Sequence, residues 1–240
     1  MSREARVIDA EHVYRWIVVV SLVGLAGCAH RAKPDAPADE ATLEPGIYHV
    51  DSGDEIDESE LVDRLAAYDY VVIGERHDRK WHHEIQSRLF AAIAERRRGG
   101  TALGMEMFVR SRQAALDAYI DGRFDEAKML EETDWETHWG MDPALYRPLW
   151  SAAKRLGSPL VALNVPREVT REIARKGLEG LSQEERSRLP DRIDTSIESQ
   201  RAFLRRIFGR HGGSNSADHG MKFEYFLQAQ ATWDETMAAT

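Results

Sequence analysis

The sequence holds a single cysteine, Cys28, so an intramolecular disulfide and a cysteine-built zinc site are both excluded. Positive charge is in deficit as well. Thirty-two Lys and Arg stand against 41 Asp and Glu, a formal net charge of −9. A nucleic-acid surface needs a clustered basic face, so no nucleic-acid partner is expected. Long apolar runs are scarce: the longest, Trp16 to Gly27, covers about a dozen residues where roughly 20 are needed to span a bilayer. No internal repeat is visible. What is present is a chain of 240 residues, 42% hydrophobic and 30% charged. That length and composition support a globular protein with a real core, one sizeable domain or at most two small ones.

The apolar run has the length of the central segment of a signal peptide. It ends in Leu25-Ala26-Gly27-Cys28, which matches the lipobox of bacterial lipoproteins. Small residues at 26 and 27 let an extended strand enter a peptidase groove, and Cys28 supplies the thiol that takes the lipid. Residues 1–27 are therefore expected to be a leader, although Glu4, Asp9 and Glu11 stand beside Arg3, Arg6 and Arg15 ahead of the run. Residues 28–45, rich in Ala, Pro, Asp and Glu, read as a tether. Residues 46–240 form the domain. Several acyl chains on Cys28, palmitate among them, suffice for stable membrane anchoring where one would not. Ala29 lacks the acidic signal associated with inner-membrane retention, so the expected place is the bacterial cell envelope, with the lipid in the outer membrane.

Within the domain, three short apolar runs read as buried parallel strands: Tyr70 to Ile73, Ala102 to Met105 and Leu160 to Leu163. Each precedes a helical pattern. Ile85, Leu89 and Ile93 recur every four residues after the first. Ala114, Leu116 and Tyr119 follow the second. Pro166, Val169 and Ile173 follow the third, with proline at a helix start. Strand–helix alternation predicts an α/β fold with a mostly parallel sheet, flanking helices and right-handed crossovers. A long helical insert is expected between the second and third strands, made of Phe124 to Glu132, an aromatic loop Trp135 to Trp139, and Pro143 to Leu156. Beyond Gly180 the pattern is helical, with segments over Asp194 to Phe208 and from about Met221 onward, the latter with Phe223, Phe226, Leu227 and Gln230 on one side. Between them His211 to Gly220 reads as a loop. The last amphipathic pattern runs to Thr240 without a capping residue, so a further C-terminal strand is expected to be missing.

Ligands of open parallel sheets bind beyond the carboxyl ends of the strands. The first strand leads into Gly74-Glu75-Arg76-His77, the second into Glu106 and the third into Asn164. Gly74 allows a sharp turn, and Glu75 and His77, two apart in an extended segment, aim to the same side. Glu75, His77 and Glu106 together suit a divalent metal held by oxygen and nitrogen. The same carboxylates can instead pair with neighbouring bases and cap helices.

These residues also carry a resemblance. Gly74-Glu75-Arg76-His77-Asp78, His82-His83, Gln86 and Gly104-Met105-Glu106-Met107-Phe108 are similar to the ChaN family. So are Gln113, Leu116-Asp117, Trp135, Trp139-Gly140, Tyr146-Arg147-Pro148, Ala162 to Arg167, Ala229-Gln230 and Trp233 to Ala238. The resemblance implies a haem-binding envelope lipoprotein of iron uptake, with haem often held as a cofacial pair by a homodimer, and no catalysis. It also places the chain with the Tiki-like superfamily, whose protease members bind metal through a GxxH segment and Glu. Gly74, His77 and Glu106 match that pattern, which leaves a metal-dependent hydrolase using Glu75, His77 and Glu106 as the alternative, and an envelope scaffold with neither ligand as a third reading.

Ferric haem needs an axial donor, apolar faces and cations for its propionates. The resemblance, associated with tyrosine ligation, points to Tyr225 as the axial ligand. His219 and Lys222 then reach propionates. His82 and His83 open a helix beside the first-strand loop and are either further haem contacts or supports, or exposed residues at a helix N-terminus. Trp135, His138, Trp139 and Tyr146 form either a porphyrin wall or a packed insert. Arg96-Arg97-Arg98 reads as a solvated helix end whose charge suits the helix dipole.

Overall fold

The computed structural model describes residues 15–19, 45–212 and 222–240. Cys28, the rest of the expected leader, the tether to residue 44 and His219 lie outside the described residues. The strands are β1 (Arg15–Val19), β2 (Ile47–Tyr48), β3 (Glu55–Ile56), β4 (Tyr70–Ile73), β5 (Thr101–Val109) and β6 (Leu160–Asn164). The helices are α1 (Glu58–Ala66), α2 (Lys80–Arg96), α3 (Gln113–Ile120), α4 (Glu126–Glu132) and α5 (Trp135–His138), followed by α6 (Pro143–Leu156), α7 (Arg167–Lys176), α8 (Gln183–Ser187), α9 (Glu198–Gly212) and α10 (Phe223–Ala238). β2 and β3 form a small antiparallel hairpin, and the other strands hydrogen-bond in the order β4-β1-β5-β6. β1 and β4 run parallel, from Trp16 against Tyr70 to Val19 against Ile73. The α/β class with a small parallel sheet and flanking helices is as the sequence predicts. Two compact units divide the chain, and β5 contributes its first three residues to one and the remainder to the other.

The first unit comprises Met1–Leu103 and Asp142–Pro159. Its helices start where the sequence supplies acceptors for orphan amides. Asp57 accepts from Glu60 N at 2.8 Å, and Asp142 accepts from Ala144 N at 2.9 Å ahead of Pro143. α6 ends at Gly157, whose φ of 63° places it in the left-handed region. α2 packs on α1 and α6, burying Phe90, Ile93, Leu149 and Trp150. Arg97 belongs to this packing and not to a solvated end. Its guanidinium donates to the carbonyls of Leu65, Ala66 and Tyr68, tying the end of α1 to the end of α2.

The second unit comprises Gly104–Met141 and Leu160–Thr240. Gln113, the first residue of α3, uses its side-chain amide as a strand would. Nε2 donates to Leu160 O and Oε1 accepts from Ala162 N, both at 2.8 Å. α7 lies against α10, with Val165, Val169, Ile173, Leu189 and Ala229 at the centre of the packing.

Several expectations are corrected. β5 runs to Val109, all nine residues buried, so Glu106 lies inside the strand and not beyond it; flanking Met105 and Met107 keep the segment apolar enough to continue. Trp135–His138 is a short helix where a loop was expected. The helix expected from Asp194 starts at Glu198, because the Asp194 carboxylate accepts from Ser196 N and Oγ at 2.8 and 2.6 Å and holds a turn there. On α10 the buried face is Leu227, Ala229, Ala231, Thr232 and Thr236; Phe223, Phe226 and Gln230 are only half-buried. The run Trp16 to Gly27 begins inside β1. Its β-branched residues suit a strand as well as a signal segment.

A buried carboxylate between two imidazoles

β4 ends at Ile73, and the chain leaves the strand through Gly74 to His77. Glu75 is 5% exposed. His77 Nδ1 lies 2.6 Å from Glu75 Oε1, and His83 Nε2, from the first turn of α2, lies 3.0 Å from Oε2. The Tyr146 hydroxyl, from α6, donates to Oε1 at 3.5 Å. His83 is fully buried and its ring sits 4.2 Å from that of Tyr146. All four residues belong to the first unit. A carboxylate out of water persists only when its oxygens are engaged in this way.

The geometry assigns the tautomers. His83 donates from Nε2 to the carboxylate, and its buried Nδ1 has no hydrogen-bond partner among the described residues. His77 donates from Nδ1, which puts the ring's lone pair on Nε2. An imidazole oriented by a carboxylate in this manner is a strong metal donor, and the His77 side chain, 29% exposed, is reachable by a ligand.

The remaining expected site residues divide. His82 Nδ1 accepts from Arg76 N at 2.7 Å, so His82 shapes the loop that presents Glu75 and His77. Asn164 is occupied: Nδ2 donates to Glu106 O and Oδ1 accepts from Val165 N, both at 2.8 Å. It fastens β5 to β6. Glu106 is 5% exposed on β5 in the second unit. Trp135 packs on Phe108 and Trp139 at ring distances of 5.4 and 6.5 Å and donates from Nε1 to Met141 O at 2.7 Å. The packed-insert reading holds for these indoles. Tyr146 was grouped with them in the sequence, yet it serves Glu75. Only its position four residues into a predicted helix hinted at an inward face.

At the other end of the chain, Tyr225 sits half-buried in the first turn of α10. Its hydroxyl has no hydrogen-bond partner among the described residues. Lys222 is exposed, with Nζ 5.0 Å from the centre of the Tyr225 ring. Phe208 packs on Phe223 and Phe226 at 5.7 and 5.4 Å. A phenol that is not sealed in the core and makes no hydrogen bond to another described residue, beside a cation and aromatic rings, fits a planar anionic ligand such as haem.

The molecule is thus a parallel-sheet α/β protein in which the exit of β4 presents an imidazole held by a buried carboxylate. The family described as haem-binding uptake, Tiki superfamily, ChaN matches residues 61–240, and the chain belongs to it. Its fold is similar to that of ChaN of Campylobacter jejuni, solved with cofacial haem. The TM-score is 0.63 over 80% of this chain and 72% of that chain, at 16% identity. No curated protein matches the sequence.

Proposed function

We propose that the chain binds haem in the cell envelope, as a lipoprotein of iron uptake anchored through Cys28, and that haem is shared between two copies as a cofacial pair. Family membership supports the haem reading, and the available phenol of Tyr225 beside Lys222 is the observation that carries it to particular residues. Haem supplies the iron and the planar apolar faces. Tyr225 supplies an axial oxygen, Lys222 supplies positive charge, and His219 reaches a propionate. Titration of the protein with hemin is expected to give a saturable Soret shift that Tyr225→Phe alters; a free-hemin spectrum at every ratio ends the proposal. For the anchor, the native chain is expected to enter the detergent phase on phase partitioning and Cys28→Ser to stay in the aqueous phase. Equal partitioning of the two would remove the lipid.

A divalent cation is the second ligand to test, because His77 is oriented by Glu75. Metal content after purification is expected to fall in His77→Ala, and a metal-free parent protein would count against it.

A further inference from the structure

Glu198, Arg201, Ala202, Arg205 and Arg206 share one open face of α9 in the second unit. α9 is the basic part of an acidic chain: from Glu198 to Gly212 the sequence holds four arginines against one acid. The guanidinium groups differ in what they already do. Arg201 is neutralised, with its two terminal nitrogens on the Glu224 carboxylate at 2.9 and 3.2 Å. Arg205 and Arg206 are exposed and have no carboxylate partner among the described residues. Both are nevertheless placed. The Arg205 guanidinium lies 4.2 Å from the centre of the Phe223 ring, and that of Arg206 lies 6.0 Å from the centre of the Phe203 ring. Phe203 itself is 42% exposed.

Two guanidinium forks without a carboxylate partner among the described residues, lying against aromatic faces beside a small residue, make a seat for planar anions. Ala202 leaves room between them, and Phe203 offers an apolar surface next to the charges.

We propose that Arg205 and Arg206 bind the carboxylates at the anionic edge of the ligand, an inference that rests on the haem reading above. It assigns two residues that neither the sequence motifs nor the Tyr225 neighbourhood indicated. The anchoring is by charge-assisted hydrogen bonds, so a ligand with its carboxylates esterified loses it.

The test compares hemin with hemin dimethyl ester, titrated into the full chain and into Arg205→Gln/Arg206→Gln. Loss of both charge-assisted partners is expected to weaken hemin binding at least about tenfold. The Soret position of the bound form should not move, because the axial donor is untouched. Both proteins should bind the ester equally, and Arg205→Lys/Arg206→Lys should recover part of the hemin affinity. Hemin bound equally by parent and Gln variant overturns the seat but leaves haem binding in place, as does ester bound as tightly as hemin by the parent. A parent protein that gives only a free-hemin spectrum removes both proposals. If the Gln variant keeps its hemin affinity but loses binding to phosphatidylglycerol vesicles, this face of α9 is a lipid surface and the carboxylate seat is wrong. Both positions are exposed, so far-ultraviolet circular dichroism of the Gln variant should match the parent.

Discussion

Glu75 sits in a place that water does not reach: its side chain is wholly covered. Two imidazoles and a phenol stand where water would. His83 is the member with no exposure of its own, so its truncation both opens a cavity and strips Oε2 of that donor. His83→Ala is expected to destabilise the protein by about 3 kcal/mol, measured as a lower urea midpoint with unchanged slope. His83→Gln, which keeps an N–H donor, should cost less. A midpoint for His83→Ala equal to the parent's would show that Glu75 is held by something else. Little of this network is visible in the sequence. The Gly-Glu-Arg-His segment marks Glu75 and His77 as chemistry, but nothing in the spacing of Tyr146, 71 residues on, announces a hydroxyl aimed at the same carboxylate.

At the scale of single elements, legibility followed the strength of the local signal. β4 and α6 have the predicted bounds because their punctuation is explicit: a turn glycine after Ile73, and for α6 Asp142, Pro143 and Gly157. β5 was read too short, since a Glu at 106 looks like the end of a buried strand until tertiary contacts supply its surroundings. Gly104 inside β5 is a packing glycine: an added Cβ would meet Leu163 Cδ1 at 3.0 Å. Gly104→Ala is expected to cost about 1–3 kcal/mol from overpacking, read as a lower denaturation midpoint. An unaffected variant would mean that Leu163 can move aside. α7 gives a prediction in pH. The Arg175 guanidinium and the Lys176 ammonium, bonded to the Glu172 carboxylate at 2.7 and 2.6 Å, hold its pKa down to about 2 from 4.5. A depressed pKa favours the fold above the ordinary carboxylate value and loses that contribution as pH falls through the depressed one. Parent and Glu172→Gln should therefore differ in stability at neutral pH and converge between about pH 4.5 and 2. A constant difference across that range would show that the ion pairs are screened away at this exposed site.

For the whole molecule the decisive segment is β1. Arg15–Val19 takes an interior place in the sheet, hydrogen-bonded on both sides between β4 and β5. The same residues open the apolar run proposed to guide lipidation at Cys28, and processing at Cys28 would carry β1 away with the leader. A strand in that position satisfies backbone groups of both neighbours, so its loss leaves unpaired N–H and C=O groups in the interior of a sheet. β4 is poorly equipped for this. It has no charged residue between Tyr70 and Ile73, and Tyr70 and Val72 are already 67% and 64% exposed. A chain beginning at Cys28 is therefore expected to melt at lower temperature than the full chain and to associate as concentration rises, followed by circular dichroism and light scattering. If the shortened chain is instead as stable and as monodisperse as the full one, another segment fills the slot and β1 contributes nothing to the mature fold. The measurement thus decides which of two roles a β-branched run of five residues performs, a choice its composition leaves open because burial in a sheet and passage through a membrane select the same side chains.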